Sequence, residues 1–429
     1  MRYFLNSTLI LLILSCMGCG RPAPGKEERR LQDLLKRKEY FALQKELGLH
    51  ADEINKGEKL YLTTFIDNAF NRNAASIARF ADLFGQYGSS LSDTMKARLL
   101  LLEEDNYFKT FQYARAAAAD SELIGHYRQV LDSATYADIK NTSLITHALA
   151  GISPQTTTIT ANASLPWKKD KVGLMEIAVR KGDSSWSCIF DTRANISSIS
   201  ASYAKKLGVK MLDVSYREGS GATGNAFQSS LGIADSLWLG PVLLRQVVFQ
   251  VMPDEVLYIA PIDFRMNVII GYPVIASLRE IHVFRNGTMT IPLHTTGSTL
   301  NNLAMDGLDP VVLGRIGNDT LCFQFDTGAT TSDLYALYFR KYKAAILRRG
   351  IADTIKMGGA GGIVQEPIYR LDSLTLGIGS QTATLRKVSV RINRIPHAEE
   401  KYYGNLGQDI IAQYNEMILN FTDMYLDFK

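Results

Sequence analysis

The chain has 429 residues, of which 46% are hydrophobic and 21% charged, with a formal charge of +4. That length exceeds one ordinary domain and leads us to expect two or three. The hydrophobic share excludes a disordered chain, the small and evenly spread charge excludes a nucleic-acid binder, and four cysteines exclude a disulfide-stapled mini-protein.

Residues 1–19 read as an export signal. Arg2 precedes a short apolar run through Leu14, too short to cross a bilayer and typical of a secretory core segment. The run ends in Ser15-Cys16-Met17-Gly18-Cys19, which resembles a bacterial lipobox. That resemblance implies a lipid on Cys16 or Cys19 and an exported, envelope-anchored protein, on the periplasmic face or the cell surface; a plain cleaved signal is the alternative. Residues 20–26 (through Arg21-Pro22-Ala23-Pro24-Gly25-Lys26) would form a tether, because two prolines and a glycine oppose helix.

Residues 27–150 carry helical periodicity, starting with Leu31, Leu34 and Leu35 and punctuated by glycines. Glu39-Tyr40-Phe41 and Asn106-Tyr107-Phe108 look alike at a separation close to twice a 34-residue helical-hairpin period. A repeat-like helical domain and an irregular bundle both fit. Nothing in it looks catalytic; a spacer, or a docking module for a protein partner, is the expected role. Residues 151–172, with Ser153-Pro154 and a Thr-rich run, read as a linker.

Beyond it the texture becomes β-branched alternation with Gly-rich turns. Cys322-Phe323-Gln324-Phe325-Asp326-Thr327-Gly328-Ala329 ends an apolar strand, and Cys188-Ile189-Phe190-Asp191-Thr192-Arg193-Ala194 repeats the pattern earlier. Ser197 and Ser332 each lie six residues after their Asp. Gly-rich turns follow at Gly219-Ser220-Gly221 and Gly358-Gly359-Ala360-Gly361. Asp235-Ser236-Leu237 and Asp372-Ser373-Leu374 follow 44 and 46 residues after the Asp, and Gly271 and Gly407 follow 80 and 81 after it. Closing hairpins are expected near Ile281 and Met417. The register divides the second half into two homologous β lobes, 173–295 and 296–429.

In that order the landmarks resemble the retropepsin-like and pepsin-like aspartic peptidases, from about Leu174 to Lys429. The resemblance implies an α+β multidomain chain in which a helical domain precedes a bilobal all-β acid-protease fold. It implies Asp191 and Asp326 as the catalytic dyad, Thr192 and Thr327 as braces between the two loops, and Gly328 as a point of close approach. Gly271 and Gly407 would end the apolar loops beside the aspartates. Flaps at Gly219, Gly221, Gly359 and Gly361 would cover an extended polypeptide. Both half-sites lie in one chain, so dimerisation is not needed. Two residues depart from the pattern. Arg193 stands where the family has Gly, and Asn405 replaces an apolar residue. A guanidinium near the dyad would favour two ionised carboxylates, so either Arg193 points away and the enzyme works, or lobe one is degenerate and the chain only binds peptides.

No cofactor is implied. The six histidines form no His-Glu-x-x-His pattern, so no metal site is expected. Gly219-Ser220-Gly221-Ala222-Thr223-Gly224 fits a dinucleotide fingerprint, but that motif needs a helix after it and Phe227 to Leu239 alternates like a strand. Cys188 and Cys322 fall on opposite strand faces relative to their Asp and are expected to be free thiols.

Overall fold

The computed structural model describes residues 25–218, 226–359, 361–394 and 401–429. The export signal with Cys16 and Cys19, and the flap glycines Gly219 and Gly221, lie outside the described residues. Among the described residues no helix is long and apolar enough to cross a membrane.

The N-terminal part is helical: α1 (Lys26–Lys36), α2 (Tyr40–Leu49), α3 (Lys56–Ala69), α4 (Asn73–Tyr87), α5 (Asp93–Lys109), α6 (Tyr113–His126) and α7 (Ser133–Leu149). The first six pair as three hairpins whose turns are closed in the same way. Lys38, Asn71 and Phe111 each adopt positive φ. The next residue's N–H reaches back five positions, from Glu39 to Leu34, Arg72 to Asp67 and Gln112 to Tyr107, at 2.7–3.0 Å. This is the left-handed helix stop that satisfies the last carbonyls. Side chains of Asn55, Ser92 and Asp132 cap α3, α5 and α7 by accepting from Glu58, Met95 and Thr135 N–H. The region is therefore repeat-like in its hairpins. The Tyr-Phe pair noted in the sequence is not its register, since Tyr40 opens a second helix whereas Tyr107 lies near the end of a first helix.

The remainder is β. In lobe one the hairpin Met175–Lys181/Ser184–Phe190 leads to the Asp191 loop, and Val268–Ile270 runs parallel to its second strand and antiparallel to Ser197–Ser200. Lobe two repeats this with Asp309–Ile316/Asp319–Phe325, and Gly404–Leu406 runs parallel to the second strand and antiparallel to Asp333–Leu334. The lobes are joined by a shared sheet. The closing strands Glu280–Phe284 and Glu416–Asn420 pair antiparallel, Ile281 opposite Leu419 and Val283 opposite Met417. These four side chains are buried at 0–1% exposure, so the lobes are joined through a continuous apolar core as well as backbone bonds.

The segment read as a linker, 151–172, contributes strands Thr156–Thr158 and Ala163–Lys169, the second paired with Thr288–Ile291 in the shared sheet. Threonine has high strand propensity, and partner strands far along the chain convert a polar stretch into sheet. The helical region packs on both lobes. Lys38 pairs with Asp306, Asn71 Nδ2 donates to Phe421 O at 2.8 Å, and Asn141 exchanges two bonds with the backbone of Arg217 at 2.8 and 2.9 Å. Arg217 is on the strand Lys210–Glu218 that leads into the lobe-one flap position.

Candidate active site

Each aspartate closes its strand on the parallel neighbour. Asp191 N–H donates to Ile270 O at 3.0 Å and Asp326 N–H donates to Leu406 O at 2.9 Å. The two loops then meet through a reciprocal brace. Thr192 N–H donates to Thr327 Oγ1 and Thr327 N–H donates to Thr192 Oγ1, both at 3.0 Å. The hydroxyls donate onward across the interface, Thr192 to Phe325 O at 2.9 Å and Thr327 to Phe190 O at 2.7 Å. Both threonines are 0% exposed, so every polar atom of the brace depends on its partner.

The brace brings the carboxylates together. A Cβ placed on Gly328 would lie 2.4 Å from Asp191 Cγ and Oδ2, a separation only glycine permits. Gly271 and Gly407 sit behind the loops and donate to Ser197 Oγ at 3.0 Å and Ser332 Oγ at 2.9 Å. A Cβ on either would collide with the carbonyl of Ala194 or Ala329, at 2.4 and 2.7 Å. Ser197 and Ser332, read in the sequence only as landmarks, are thus the struts that hold the apolar loops, and Asp409 fixes the second by accepting from Ser332 Oγ at 2.6 Å.

Gly359 and Gly361 lie at the turn between Ile351–Gly359 and Gly362–Ile378, the long hairpin of lobe two. This hairpin spans to the other lobe, where Gly361 N–H donates to Val256 O at 3.0 Å. Strands Lys210–Glu218 and Phe227–Leu239 form the corresponding hairpin of lobe one, which leaves no helix after the glycine run for a dinucleotide. Cys188 is buried and Cys322 partly buried, both as free thiols.

Arg193 does not point away. Its Nη1 is 3.6 Å from Asp326 Oδ2 and its Nε 3.4 Å from Asp309 Oδ1. Nη1 also lies 3.5 Å from Asn405 Oδ1, while Asn405 Nδ2 donates to Asp326 Oδ2 at 2.9 Å. The two departures noted in the sequence therefore touch each other. Asp309, absent from the sequence reading, is a further member. No local motif marks it, since only the fold carries it to Arg193 from the start of a neighbouring strand.

The ionisation of the site follows from these surroundings. Removal from water, and next the charge of Asp326, push Asp191 up to about 7, against the lowering effect of backbone N–H groups and Arg193. Asp309 is pushed up by burial, partly offset by Arg193. Arg193 is held charged by Asp309 first among its partners, against burial. Two close carboxylates of which one holds a proton can take a proton from water and give one to a leaving amine. Among the described residues no group of His, Cys, Asp and Glu is placed to hold a metal ion.

The second half of the chain is thus a bilobal β fold whose paired Asp-Thr loops are braced face to face. Residues 177–274, most of lobe one, match the aspartyl protease family. Comparison with curated proteins finds no match. Among solved structures, basic 7S globulin from soybean aligns over 63% of this chain and 95% of that chain, at 10% identity and a TM-score of 0.40.

Proposed function

We propose that the chain is an aspartic endopeptidase whose Asp191–Asp326 dyad activates water against a peptide bond, anchored in a bacterial envelope through Cys16 or Cys19. The observation that carries this is the reciprocal Thr192–Thr327 brace, with Gly328 against the Asp191 carboxyl. A brace of four buried hydrogen bonds costs conformational freedom and serves to keep two carboxylates in one geometry. The ionised carboxylate takes a proton from the attacking water as the protonated one polarises the substrate carbonyl. The proton then passes to the departing amine, and no covalent intermediate forms. An extended polypeptide would bind beneath the flap hairpins through strand-like backbone bonds. The helical domain would act as spacer or docking module for a protein partner. No cofactor and no second copy of the chain enters this scheme.

A second reading, a peptide-binding envelope lipoprotein without catalysis, is favoured by Arg193 at 3.6 Å from Asp326, because an uncompensated guanidinium there would ionise both carboxylates. Cleavage of a peptide library from pH 3 to 8 separates the two. The peptidase cleaves, and Asp191→Asn and Asp326→Asn each abolish cleavage. Activity that survives both substitutions, or binding without cleavage at every pH, refutes the dyad. Radiolabelled fatty acid incorporated into the parent and lost on substitution of Cys16 or Cys19 would support the anchor.

A further inference from the structure

The two lobes can be placed in register through their first hairpins. Glu176 pairs with Ile189 in lobe one as Val311 pairs with Gln324 in lobe two. Position for position, Asp309 therefore stands where lobe one has Leu174, Gln324 where it has Ile189, and Asn405 where it has Ile269. Arg193 is the counterpart of Gly328. In lobe one, Leu174, Ile189 and Ile269 belong to a single apolar cluster with Met252, Leu257 and Phe264. In lobe two the same three positions are polar, and they connect. Gln324 Nε2 is 3.5 Å from Asp309 Oδ2, and Asp309 and Asn405 both meet Arg193. These four departures thus fall in one network on the Asp326 side of the site.

Resting on the peptidase reading above, we propose that this network makes the dyad asymmetric. Asp326 is the ionised base and Asp191 the protonated acid, with Asp309 as a positioning residue that neutralises Arg193 so that the guanidinium does not strip the shared proton. Asp326 accepts an N–H from Asn405 and one from Gly328 at 2.8 Å and faces the guanidinium of Arg193, three positive partners at its oxygens. Asp191 receives backbone N–H groups from Arg193, at 2.8 Å, and Ala194, with an apolar cluster beyond its strand. Environments that drive two carboxyls apart assign the acid and the base. Burial is the main reason Asp191 keeps a proton to about pH 7.

The other charged groups facing the network are already matched. Asp306, beside Asp309 across the hairpin turn, is paired with Lys38 and accepts from Tyr402. Asp333 is paired with Arg391 at 2.6 Å, and Arg391 also reaches Glu366 at 3.3 Å. The Tyr335 hydroxyl donates to Gln324 Oε1 at 2.9 Å. Asp309 is therefore the carboxylate that answers Arg193 outside the dyad.

The test is the titration of the aspartate carboxyl carbons by 13C NMR in the full folded chain, read beside the pH dependence of kcat/KM on a cleaved peptide. In the parent, the resonance lost in Asp191→Asn titrates near pH 7. Asp309→Asn should lower that midpoint by about one unit, the effect of one opposite charge within 4–6 Å. Arg193→Gly should raise it, and the double variant should return it toward the parent. The alkaline limb of kcat/KM should move with it. A midpoint unmoved in both Asp309→Asn and Arg193→Gly, or a high midpoint belonging to Asp326, overturns the assignment whether or not peptide is cleaved. Midpoints that move as stated without cleavage at any pH leave the asymmetry standing and refute the peptidase reading instead.

Discussion

Removing one hydroxyl from the Thr192–Thr327 brace tests the architecture most directly. Thr192→Ala takes away the acceptor of Thr327 N–H and the donor to Phe325 O. Both partners are shut off from water at a residue that is 0% exposed. One orphaned buried N–H costs about 1–3 kcal/mol, and the missing methyl adds about 0.8 kcal/mol. The expected loss is about 2–4 kcal/mol, or roughly 30- to 700-fold in the unfolding equilibrium. Urea unfolding followed by tryptophan fluorescence suits the measurement, because Trp167, Trp186 and Trp238 all lie on the lobe-one side of the chain. Thr192→Ser keeps the hydroxyl and should lose about 1 kcal/mol. A Thr192→Ala protein within about 0.5 kcal/mol of the parent, or no more destabilised than Thr192→Ser, would show that the brace is not what holds the loops together.

Three further outcomes are expected. Gly328→Ala forces its Cβ against Asp191 Oδ2, and the displaced dyad should lower kcat by about 10- to 100-fold with little change in KM; steady-state kinetics at unchanged kcat would contradict the close approach. Asp191 is raised from 3.8 to about 7 in the fold. Its contribution to stability is thus fully present below about pH 4 and is lost as pH rises to 7. Urea titrations should accordingly show Asp191→Asn gaining on the parent across that window and level above it. A difference that stays constant with pH would place the proton elsewhere. Lys38→Met leaves Asp306 with the Tyr402 hydroxyl and the charge of Lys401. It should destabilise the seam between helical region and lobe two by about 1–3 kcal/mol, less than a fully buried pair because both groups are partly exposed. Thermal unfolding and limited proteolysis between α2 and α3 would report it, and an unchanged profile would show the pair to be incidental.

The sequence by itself pointed to a helical region before a β half and singled out Asp191 and Asp326. Periodicity changes from helical to alternating near Ile152, and the repeated landmarks from Asp191 and from Asp326 set two lobes in register. Such signals survive in one dimension because they are local: a strand end, an Asp-Thr turn, a serine six residues on. The sequence also exposed Arg193 and Asn405 as departures, but as two separate blemishes. Only the tertiary structure brought them into contact and added Asp309 and Gln324, because these side chains converge from separate strands, and the distance between them depends on how the loops cross. The same holds for the stretch read as a linker, whose strand Thr156–Thr158 pairs more than 80 residues away and whose strand Ala163–Lys169 enters the shared sheet through Thr288–Ile291. The protonation of Asp191 belongs to the fold as well, since burial and a second carboxylate from the other lobe decide it.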